Sequence, residues 1–355
     1  MFANLMRQIA QAVNSPQSSG CQMLNLQKTP LAESPVIKTV YSRIGEPQSL
    51  AKRLAKGGEG EIYPLQKKSD VVVKHYNQEV LAKDHTNLIS KISLMQQLRP
   101  AFKGRNMSWP AIPVYDEQQQ WIGYAMPRIE GRTFRSLAHA MLYKKYAPNL
   151  TREHIVIMLL DFLQQVEFLH NHDVMIGDYN LNNFMWHPQK FTVGFIDCDS
   201  YQIRHQGKYF PCLVGSPDLT APEHHQKPYK DIVRTLESEQ FSIAIILFMC
   251  LMLGRHPYDI LDGEDPVKNL QSGKFAYGKG NRGIPKGPWY NIWSHMPYRL
   301  KTLFIQTFTE GARDPSRRAS IADWTEALQV YQKEMKKGFH STEIVPNQPK
   351  SSERH

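Results

Sequence analysis

The sequence predicts an α+β fold with a small β-rich N-lobe and a larger α-helical C-lobe. Short runs of strand-forming residues, separated by glycine or polar turns, occur between residues 46 and 126. From residue 150 onward, apolar residues at helical spacing dominate, over residues 151–172, 239–254, 297–310 and 320–337. Strands and helices segregated along the chain are typical of α+β proteins, so we expect two lobes with a cleft between them.

The N-lobe elements follow from alternation and turn residues. Strands are predicted near Leu50–Leu54, at Glu61–Leu65, Val71–Tyr76, Ile112–Tyr115 and Trp121–Met126. A helix is predicted over residues 79–99 because apolar residues recur there on one helical face. These residues are Leu81, Leu88, Ile92 and Met95. Pro100 is expected to end the helix, because proline lacks an amide hydrogen and clashes with the preceding turn.

Composition divides the chain into four expected segments. Residues 1–45 are rich in Gln, Ser and Pro and are expected to form an N-terminal extension. Residues 46–130 are assigned to the N-lobe and residues 131–337 to the C-lobe. Residues 338–355 are polar and are expected to be a disordered tail.

Charge and cysteine content narrow the class of protein. The formal net charge of +10 fits either an anionic partner or an ordinary basic surface. The cations are spread in short pairs without a basic block, so nucleic acid is not indicated. Four widely separated cysteines without a Cys-x-x-Cys pair favour a reducing compartment over a disulfide framework or zinc site.

Membrane association is not predicted. The N-terminus lacks the apolar core of a signal peptide, and the longest apolar run, Phe241 to Leu253, is too short to cross a bilayer. That run is expected to form a buried helix. We therefore expect a cytoplasmic protein.

Two short segments carry the residue types that phosphoryl transfer from ATP requires. Asp178 is followed after four residues by Asn183, and Asp197 closes the apolar run that begins at Phe195. One carboxylate can orient an attacking hydroxyl, while an amide oxygen and a second carboxylate can hold Mg²⁺ between the phosphates. The pattern therefore indicates a kinase, or a descendant of one.

A glycine-rich turn and a lysine precede these segments. Gly57, Gly58 and Gly60 lie between two predicted strands, where glycine lets the backbone approach phosphate oxygens. A plain hairpin turn would give the same pattern. Lys74 lies in the Val-rich strand that follows, and it is either an exposed edge residue or the partner of an anionic group.

The order of these parts resembles the protein kinase superfamily over residues 46–335. Three later motifs add to the resemblance: the Ala-Pro-Glu ending of Gly215–Glu223, Gly254-x-His256-Pro257, and the Asp-Pro-x-x-Arg of residues 314–318. Within the superfamily, the chain resembles bacterial Ser/Thr kinase-like proteins of the tellurite-resistance-associated kind.

The resemblance implies roles for individual residues. Asp178 would be the catalytic base, and Asn183 and Asp197 would bind Mg²⁺. Glu223 would pair with Arg318 as a structural ion pair. The residues implied to bind ATP are Gly57, Gly58, Gly60, Ile62, Val72, Lys74, Met126, Pro127, Ile129 and Met185. Among these, Lys74 would hold the phosphates, Met126 would be the gatekeeper, and Pro127 and Ile129 would belong to the hinge.

The chain departs from the family pattern at several positions. Ala55 replaces the first loop glycine, and Asp199 replaces the glycine after the metal-binding aspartate. Gly177 replaces the arginine before the catalytic aspartate, and Asn180 stands where many kinases have a cation. Without that arginine, we expect no buried cation that would bind a phosphate group on residues 200–220. The conformation of these residues is expected to depend on packing instead.

Two charged partners are also altered. The helix partner of Lys74 should be a glutamate, but residues 80–99 contain none, and Asp84 is their only carboxylate. Asp84 could face inward or be solvated. Glu239 replaces an aspartate that normally caps the catalytic loop, and the Thr220 hydroxyl is expected near Asp178.

These inferences favour an ATP- and Mg²⁺-dependent Ser/Thr protein kinase, with its own chain as one candidate acceptor. The chain retains the three residues that are most essential for phosphoryl transfer, which are Lys74, Asp178 and Asp197. The alternative is a nucleotide-binding pseudokinase that acts as a scaffold or switch. A protein acceptor is favoured because the Ala-Pro-Glu segment shapes a peptide platform in the family, which is an argument by resemblance.

Overall fold

The computed structural model describes residues 39–278 and 283–350 of the 355-residue chain. These residues form two compact units. The first unit contains the described residues up to Glu130 together with Phe195–Asp199, and the second contains Gly131–Gly194 and the residues from Ser200 onward. Most of the N-terminal extension lies outside the described residues.

A seven-stranded antiparallel sheet forms the first unit, in the order β2-β1-β6-β7-β5-β4-β3. Its strands are β1 (Thr39–Tyr41), β2 (Pro47–Ser49), β3 (Ala55–Lys56), β4 (Gly60–Pro64), β5 (Val71–Tyr76), β6 (Ile112–Tyr115) and β7 (Trp121–Pro127). One face buries Val40, Tyr63, Val73 and Val114 in a common apolar cluster. β1 lies within residues that the sequence placed in the N-terminal extension.

Among the described residues of the first unit, one long helix, α1 (Gln78–Phe102), accompanies this sheet. It bends at Asp84, whose φ of −151° and ψ of 41° are not helical. The prediction that Pro100 ends the helix is wrong, because Pro100 lies inside the last turn. Pro100 cannot donate to the carbonyl of the preceding turn, and the helix ends two residues later, at Phe102.

Helices dominate the second unit. They are α2 (Phe134–Leu137), α3 (Leu142–Tyr146), α4 (Arg152–His170), α5 (Leu236–Leu251), α6 (Pro266–Gln271), α7 (Trp289–Ser294), α8 (Tyr298–Phe308) and α9 (Ile321–Lys336). The short strands are β8 (Arg132–Thr133), β9 (Val174–Met175), β10 (Phe184–Trp186), β11 (Val193–Phe195), β12 (Gln202–His205) and β13 (Lys208–Phe210). They form two three-stranded sheets, β11-β10-β8 and β13-β12-β9.

The core of the second unit lies around α5. This helix is buried nearly all round, as its continuous apolar run predicts. Phe248 of α5 contacts Trp293, Phe304 and Phe308 with ring centroids 5.2–6.2 Å apart. Each fully buried aromatic side chain contributes on the order of 1.5–3 kcal/mol. Thr235 caps the start of α5 by accepting a hydrogen bond from the Ser238 amide.

The predicted α+β class, with a β-rich N-terminal part and a helical C-terminal part, is confirmed. The strand predicted at Leu50–Leu54 is wrong in position. Leu50 forms only an isolated bridge to Leu65, and β3 begins at Ala55. None of the helices in the described residues is both long and apolar enough to span a bilayer.

The polar segment that follows α9 packs against the second unit. The carbonyls of Thr342 and Ile344 accept hydrogen bonds from the backbone and the guanidinium of Arg152, respectively. Asn291 Nδ2 donates to the carbonyl of Pro346. The expectation of a disordered tail therefore does not describe residues 338–350, and residues 351–355 lie outside the described part of the chain.

Candidate active site

The glycine-rich turn joins β3 and β4. The Gly57 amide donates to the Gly60 carbonyl over 2.8 Å, and Asn77 Nδ2 donates to the Gly58 carbonyl over 2.9 Å. Gly60 lies against β5 so closely that a Cβ there would sit 2.3 Å from the His75 carbonyl oxygen. Glycine is therefore required at residue 60 by the strand pairing, whether or not the turn binds phosphate.

Lys74 lies at the centre of the sheet. It pairs with Ile62 of β4 and with Tyr124 of β7. Its side chain is 6% exposed, and its Nζ lies 2.6 Å from Asp199 Oδ2 and 2.9 Å from Asp197 Oδ1. A third carboxylate oxygen, Glu59 Oε2, lies 3.3 Å away. The alternative of an exposed edge lysine is therefore excluded.

Both aspartates belong to Phe195–Asp199, a segment that lies late in the sequence but is part of the first unit. This segment is held in place because the Phe195 amide donates to the Asn106 carbonyl and the Ser108 amide donates to the Phe195 carbonyl. Asp197 has a φ of 59°, a left-handed conformation that is uncommon for residues other than glycine. The Asp197 side chain is 43% exposed, whereas that of Asp199 is 2% exposed.

Burial and charge act against each other at this cluster. Burial disfavours the charged form of Lys74, but Asp199 and Asp197 outweigh it and raise the pKa of the lysine well above its ordinary value. Burial likewise opposes ionisation of Asp199, but Lys74 and the Tyr76 hydroxyl hold the pKa of this carboxyl below its usual value. Lys74 and Asp199 are therefore a charged pair at neutral pH.

Asp84 is not the partner of Lys74. Its side chain is exposed and accepts a hydrogen bond from Asn87 of the same helix over 2.9 Å. The inward orientation that the helical spacing allowed is therefore wrong. Sequence reasoning named Asp199 only as a departure from the family pattern, and it missed Glu59.

The residues implied to bind adenine lie on four strands and in the segment after β7. Ile62 lies on β4. Val72 pairs with Met126, and both side chains are buried. Pro127 pairs with Val71 at the end of β7, and Ile129 follows it. Met185 belongs to β10 of the second unit, where it pairs with Thr133. Adenine contact by these residues remains a prediction.

The loop that contains Asp178 is held by Glu239 of α5. Its carboxylate accepts hydrogen bonds from the backbone amides of Ile176 and Gly177, at 2.9 and 2.8 Å. It also accepts the Tyr179 hydroxyl at 2.8 Å and lies 3.0 Å from His170 Nε2. The prediction that Glu239 caps this loop is confirmed.

Three polar side chains surround Asp178. Asn183 Nδ2 donates to Asp178 Oδ2 over 3.2 Å, and the Ser216 hydroxyl donates to Asp178 Oδ1 over 2.9 Å. Asn180 Nδ2 in turn donates to Ser216 Oγ over 3.3 Å. The Thr220 hydroxyl donates to the carbonyl of Ser216, the residue whose own hydroxyl contacts Asp178, so the expectation that Thr220 hydrogen-bonds near Asp178 is confirmed.

A buried cation lies beside Gly177. A Cβ at this glycine, whose φ is 71°, would lie 3.2 Å from Arg234 Nε and 2.7 Å from Cys212 Cβ. Arg234 is 4% exposed, so a buried cation lies beside the catalytic loop although Gly177 replaces the arginine of the family. Its Nη2 donates to the Val214 carbonyl over 3.3 Å, and its guanidinium faces the Tyr229 ring. The expectation that no cation there awaits a phosphate stays a prediction.

The prediction that Glu223 pairs with Arg318 is also confirmed. Both carboxylate oxygens accept from the guanidinium over 2.7 Å, in a bidentate arrangement. Arg318 also donates to the carbonyls of Gly311 and Glu237. The pair joins the end of residues 200–223 to the segment before α9, which is a structural role.

The donor types fit a magnesium ion. Mg²⁺ prefers oxygen ligands and usually needs only one or two carboxylates from the protein. Asp197 offers a partly exposed carboxylate, and the Asn183 amide nitrogen donates to Asp178. Metal binding by Asp197 and Asn183 remains a prediction. Within residues 39–278 and 283–350, no group of three or more His, Cys, Asp or Glu residues forms a metal cage.

Comparisons with known proteins place the chain near protein kinases. It is 27% identical over 309 residues to Protein kinase YegI of Escherichia coli O157:H7, covering 84% of this chain and 47% of that protein. The identity to Protein kinase YegI of Escherichia coli strain K12 is also 27%, over 308 residues and with the same coverage. No family model matches the chain. The chain has a distant protein-kinase-like relationship and spans about half the length of the curated relatives it matches.

Proposed function

We propose that this chain is an ATP- and Mg²⁺-dependent protein kinase that transfers the γ-phosphate to Ser or Thr hydroxyls. The observation that carries the proposal is the pair formed by Lys74 and Asp197, whose Nζ and Oδ1 atoms lie 2.9 Å apart across 123 residues of sequence. A buried lysine beside a partly exposed carboxylate combines a phosphate-binding cation with a metal-binding anion. The distant relatives named protein kinase support the same activity.

Lys74 binds the α- and β-phosphates in this proposal. Its ammonium is compact and remains charged because Asp199 and Asp197 raise its pKa. When the phosphates bind, they replace Asp197 and Glu59 as anionic partners of Lys74.

Asp178 orients the acceptor hydroxyl and takes its proton. The acceptor oxygen forms a bond to the γ-phosphorus, the bond from that phosphorus to the bridging oxygen breaks, and ADP leaves with the electron pair. Asn183 and Ser216 each donate to one oxygen of Asp178, which fixes the plane of its carboxylate. The preorganised carboxylate needs little rearrangement as the reaction proceeds.

Asp197 and the Asn183 oxygen are the proposed ligands of Mg²⁺, which would neutralise charge on the phosphates when bound. Hard oxygen donors at both residues support this assignment. Gly57, Gly58 and Gly60, at the start of β4, are proposed to cover the phosphates.

A protein acceptor is proposed from the segment Gly215–Glu223, which begins beside Asp178 and ends at the Glu223–Arg318 pair. The chain itself is one proposed acceptor, which makes autophosphorylation part of the proposal. The proposed location is the cytoplasm, where ATP is abundant. Other activities of the longer relatives are not transferred to this chain.

The test is phosphate transfer from γ-labelled ATP with Mg²⁺, with and without a generic acceptor protein. Asp197→Ala and Asp178→Ala should each abolish transfer without changing the melting temperature by more than a few degrees. Asp178→Ala should still bind ATP, because Asp178 touches the acceptor rather than the nucleotide. Undiminished transfer by both variants would contradict the proposal.

Two exposed lysines close to Lys74 in the sequence serve as matched controls for its substitution. Lys67 and Lys68 lie in the exposed turn between β4 and β5. Lys74→Ala should weaken ATP binding or turnover, and Lys67→Ala and Lys68→Ala should not. If ATP raises the melting temperature but no transfer is found under any condition, the pseudokinase alternative is the correct one.

A further inference from the structure

We infer that Asp199 is the positioning residue for Lys74, and that it replaces the helix carboxylate as the permanent anchor of this lysine. The pairing itself is a property of the first unit. Its catalytic consequence rests on the proposed function.

The helix offers Lys74 no buried carboxylate. The acidic residues of α1 are Glu79 and Asp84, and both are exposed. Asp84 lies at the bend of the helix and accepts a hydrogen bond from Asn87. Lys91, a buried charged residue of α1, is a cation and cannot neutralise a second cation. The position of α1 therefore does not determine where the Lys74 ammonium points.

Asp199 has the contacts that an anchor requires. Its Oδ2 accepts from Lys74 Nζ and from the Tyr76 hydroxyl, both over 2.6 Å. Tyr76 lies two residues after Lys74 on β5, so both donors come from one face of one strand. Since Asp199 is 4% exposed, water competes little for these hydrogen bonds.

Asp197 and Asp199 have different exposures although they lie two residues apart. Asp197 is partly exposed and can leave Lys74 for a metal ion, whereas Asp199 is enclosed and cannot. When nucleotide binds, Asp199 remains on Lys74 while the phosphates take the place of Asp197. A single five-residue segment, Phe195–Asp199, thus carries both the metal ligand and the lysine anchor.

This arrangement has a regulatory consequence. Where a helix supplies the anchor, a shift of the helix releases the lysine and switches the enzyme off. Here the anchor, Asp199, lies on the same segment as the proposed metal ligand Asp197. Lys74 therefore keeps its position when α1 shifts. We therefore expect control of this protein to act elsewhere than at α1.

The test measures Lys74 directly, without nucleotide. Purified full-length protein is treated at pH 7.5 with an amine-acylating reagent, and Lys74 modification is followed by peptide mass spectrometry. Asp199→Asn keeps the shape and the Tyr76 hydrogen bond but removes the charge. The Lys74 ammonium then loses the charged partner that holds it in place, and its acylation should become severalfold faster. The double variant Glu79→Gln/Asp84→Asn removes both carboxylates of α1 and should leave the rate unchanged.

A second readout concerns the proposed reaction. Asp199→Asn should lower kcat/KM for ATP by roughly 10²-fold, the effect of a misplaced catalytic group, whereas the α1 double variant should not change it. If Asp199→Asn does not fold, Tyr76→Phe removes one of the two hydrogen bonds to Asp199 and should give smaller changes in the same directions.

The two readouts separate the inference from the proposed function. If the wild-type protein shows no phosphate transfer, the proposed function fails, but the acylation rates still decide whether Asp199 anchors Lys74. Unchanged Lys74 acylation in Asp199→Asn, or equal acceleration in the α1 double variant, would overturn the inference.

Discussion

Ser216 donates its hydroxyl hydrogen to Asp178 Oδ1 over 2.9 Å, although the two residues are 38 positions apart. The contact joins the start of Gly215–Glu223 to the loop that carries the proposed base. Placement of Asp178 therefore depends on the conformation of residues 211–216, and the Ser216 hydroxyl is the link that a single substitution can remove.

Ser216→Ala should lower kcat for phosphate transfer by about tenfold, with a smaller effect on KM for ATP, because it frees one oxygen of Asp178 to rotate. Ser216→Thr keeps the hydroxyl and should retain most of the activity. Thr220→Ser, which preserves the hydrogen bond to the Ser216 carbonyl, serves as the control. Equal activity of the alanine and wild-type proteins would show that Ser216 does not position the base.

Glu239→Gln should destabilise the protein by about 3 kcal/mol. The substitution puts an amide that donates hydrogen bonds where a carboxylate now accepts them from Ile176, Gly177 and Tyr179, so buried donors lose partners. Urea denaturation gives the free energy of unfolding, and Glu237→Gln, an exposed neighbour on α5, is the matched control. Similar small losses in both variants would contradict this account of the loop.

Glu223 and Arg318 should be strongly coupled. Arg318→Ala should cost about 3–5 kcal/mol, because its side chain is fully buried and also holds two carbonyls. Glu223→Ala should cost less, because its carboxylate is 30% exposed. The double variant should be little worse than Arg318→Ala, as a double-mutant cycle in denaturant would reveal. Additive losses are the contrary outcome.

His224 should make stability depend on pH. Burial lowers the pKa of this imidazole to about 4, and both ring nitrogens lack hydrogen-bond partners among the described residues. Between this value and the ordinary histidine pKa of about 6.5, the unfolded chain binds more protons than the folded one. The free energy of unfolding should therefore rise with pH across this window, and the contribution should be lost as pH falls towards 4.

His224→Gln should reduce the difference in unfolding free energy between pH 7.5 and pH 5. Urea melts at the two pH values measure it. His85→Gln, at an exposed position on α1, is the control and should leave the difference unchanged. An identical pH dependence in wild type and His224→Gln would show that this histidine is not responsible.

Elements with strong local patterns were predictable from the sequence. β5 covers Val71–Tyr76 as predicted, and α4, α5, α8 and α9 lie within a few residues of their predicted ranges. Alternation and helical spacing report which face of an element is buried, and this information is local. Glu239 and the Glu223–Arg318 pair were also predicted, but through resemblance to a family rather than through local pattern.

The partner of Lys74 could not be predicted in this way. Helical spacing left open whether Asp84 faces inward or is solvated, and the carboxylate that binds Lys74 lies 125 residues away at Asp199. The same holds for Ser216, whose hydroxyl donates to Asp178, and for Arg234, which lies against Gly177. Each of these contacts joins two segments that are distant in the sequence. The periodicity of a segment reports only which of its own residues are buried, so it cannot predict such a contact.

The sequence by itself determined the α+β class, most elements and the residue types of the candidate site, because side-chain chemistry and periodicity are properties of single segments. Only the tertiary structure decided which charges meet. A buried lysine is stable only beside an anion, and the sequence contains several carboxylates that could have been its partner. Burial, the turn at Asp197 and the hydroxyl of Tyr76 selected Asp199, because that carboxylate alone is enclosed beside the Lys74 ammonium among the described residues.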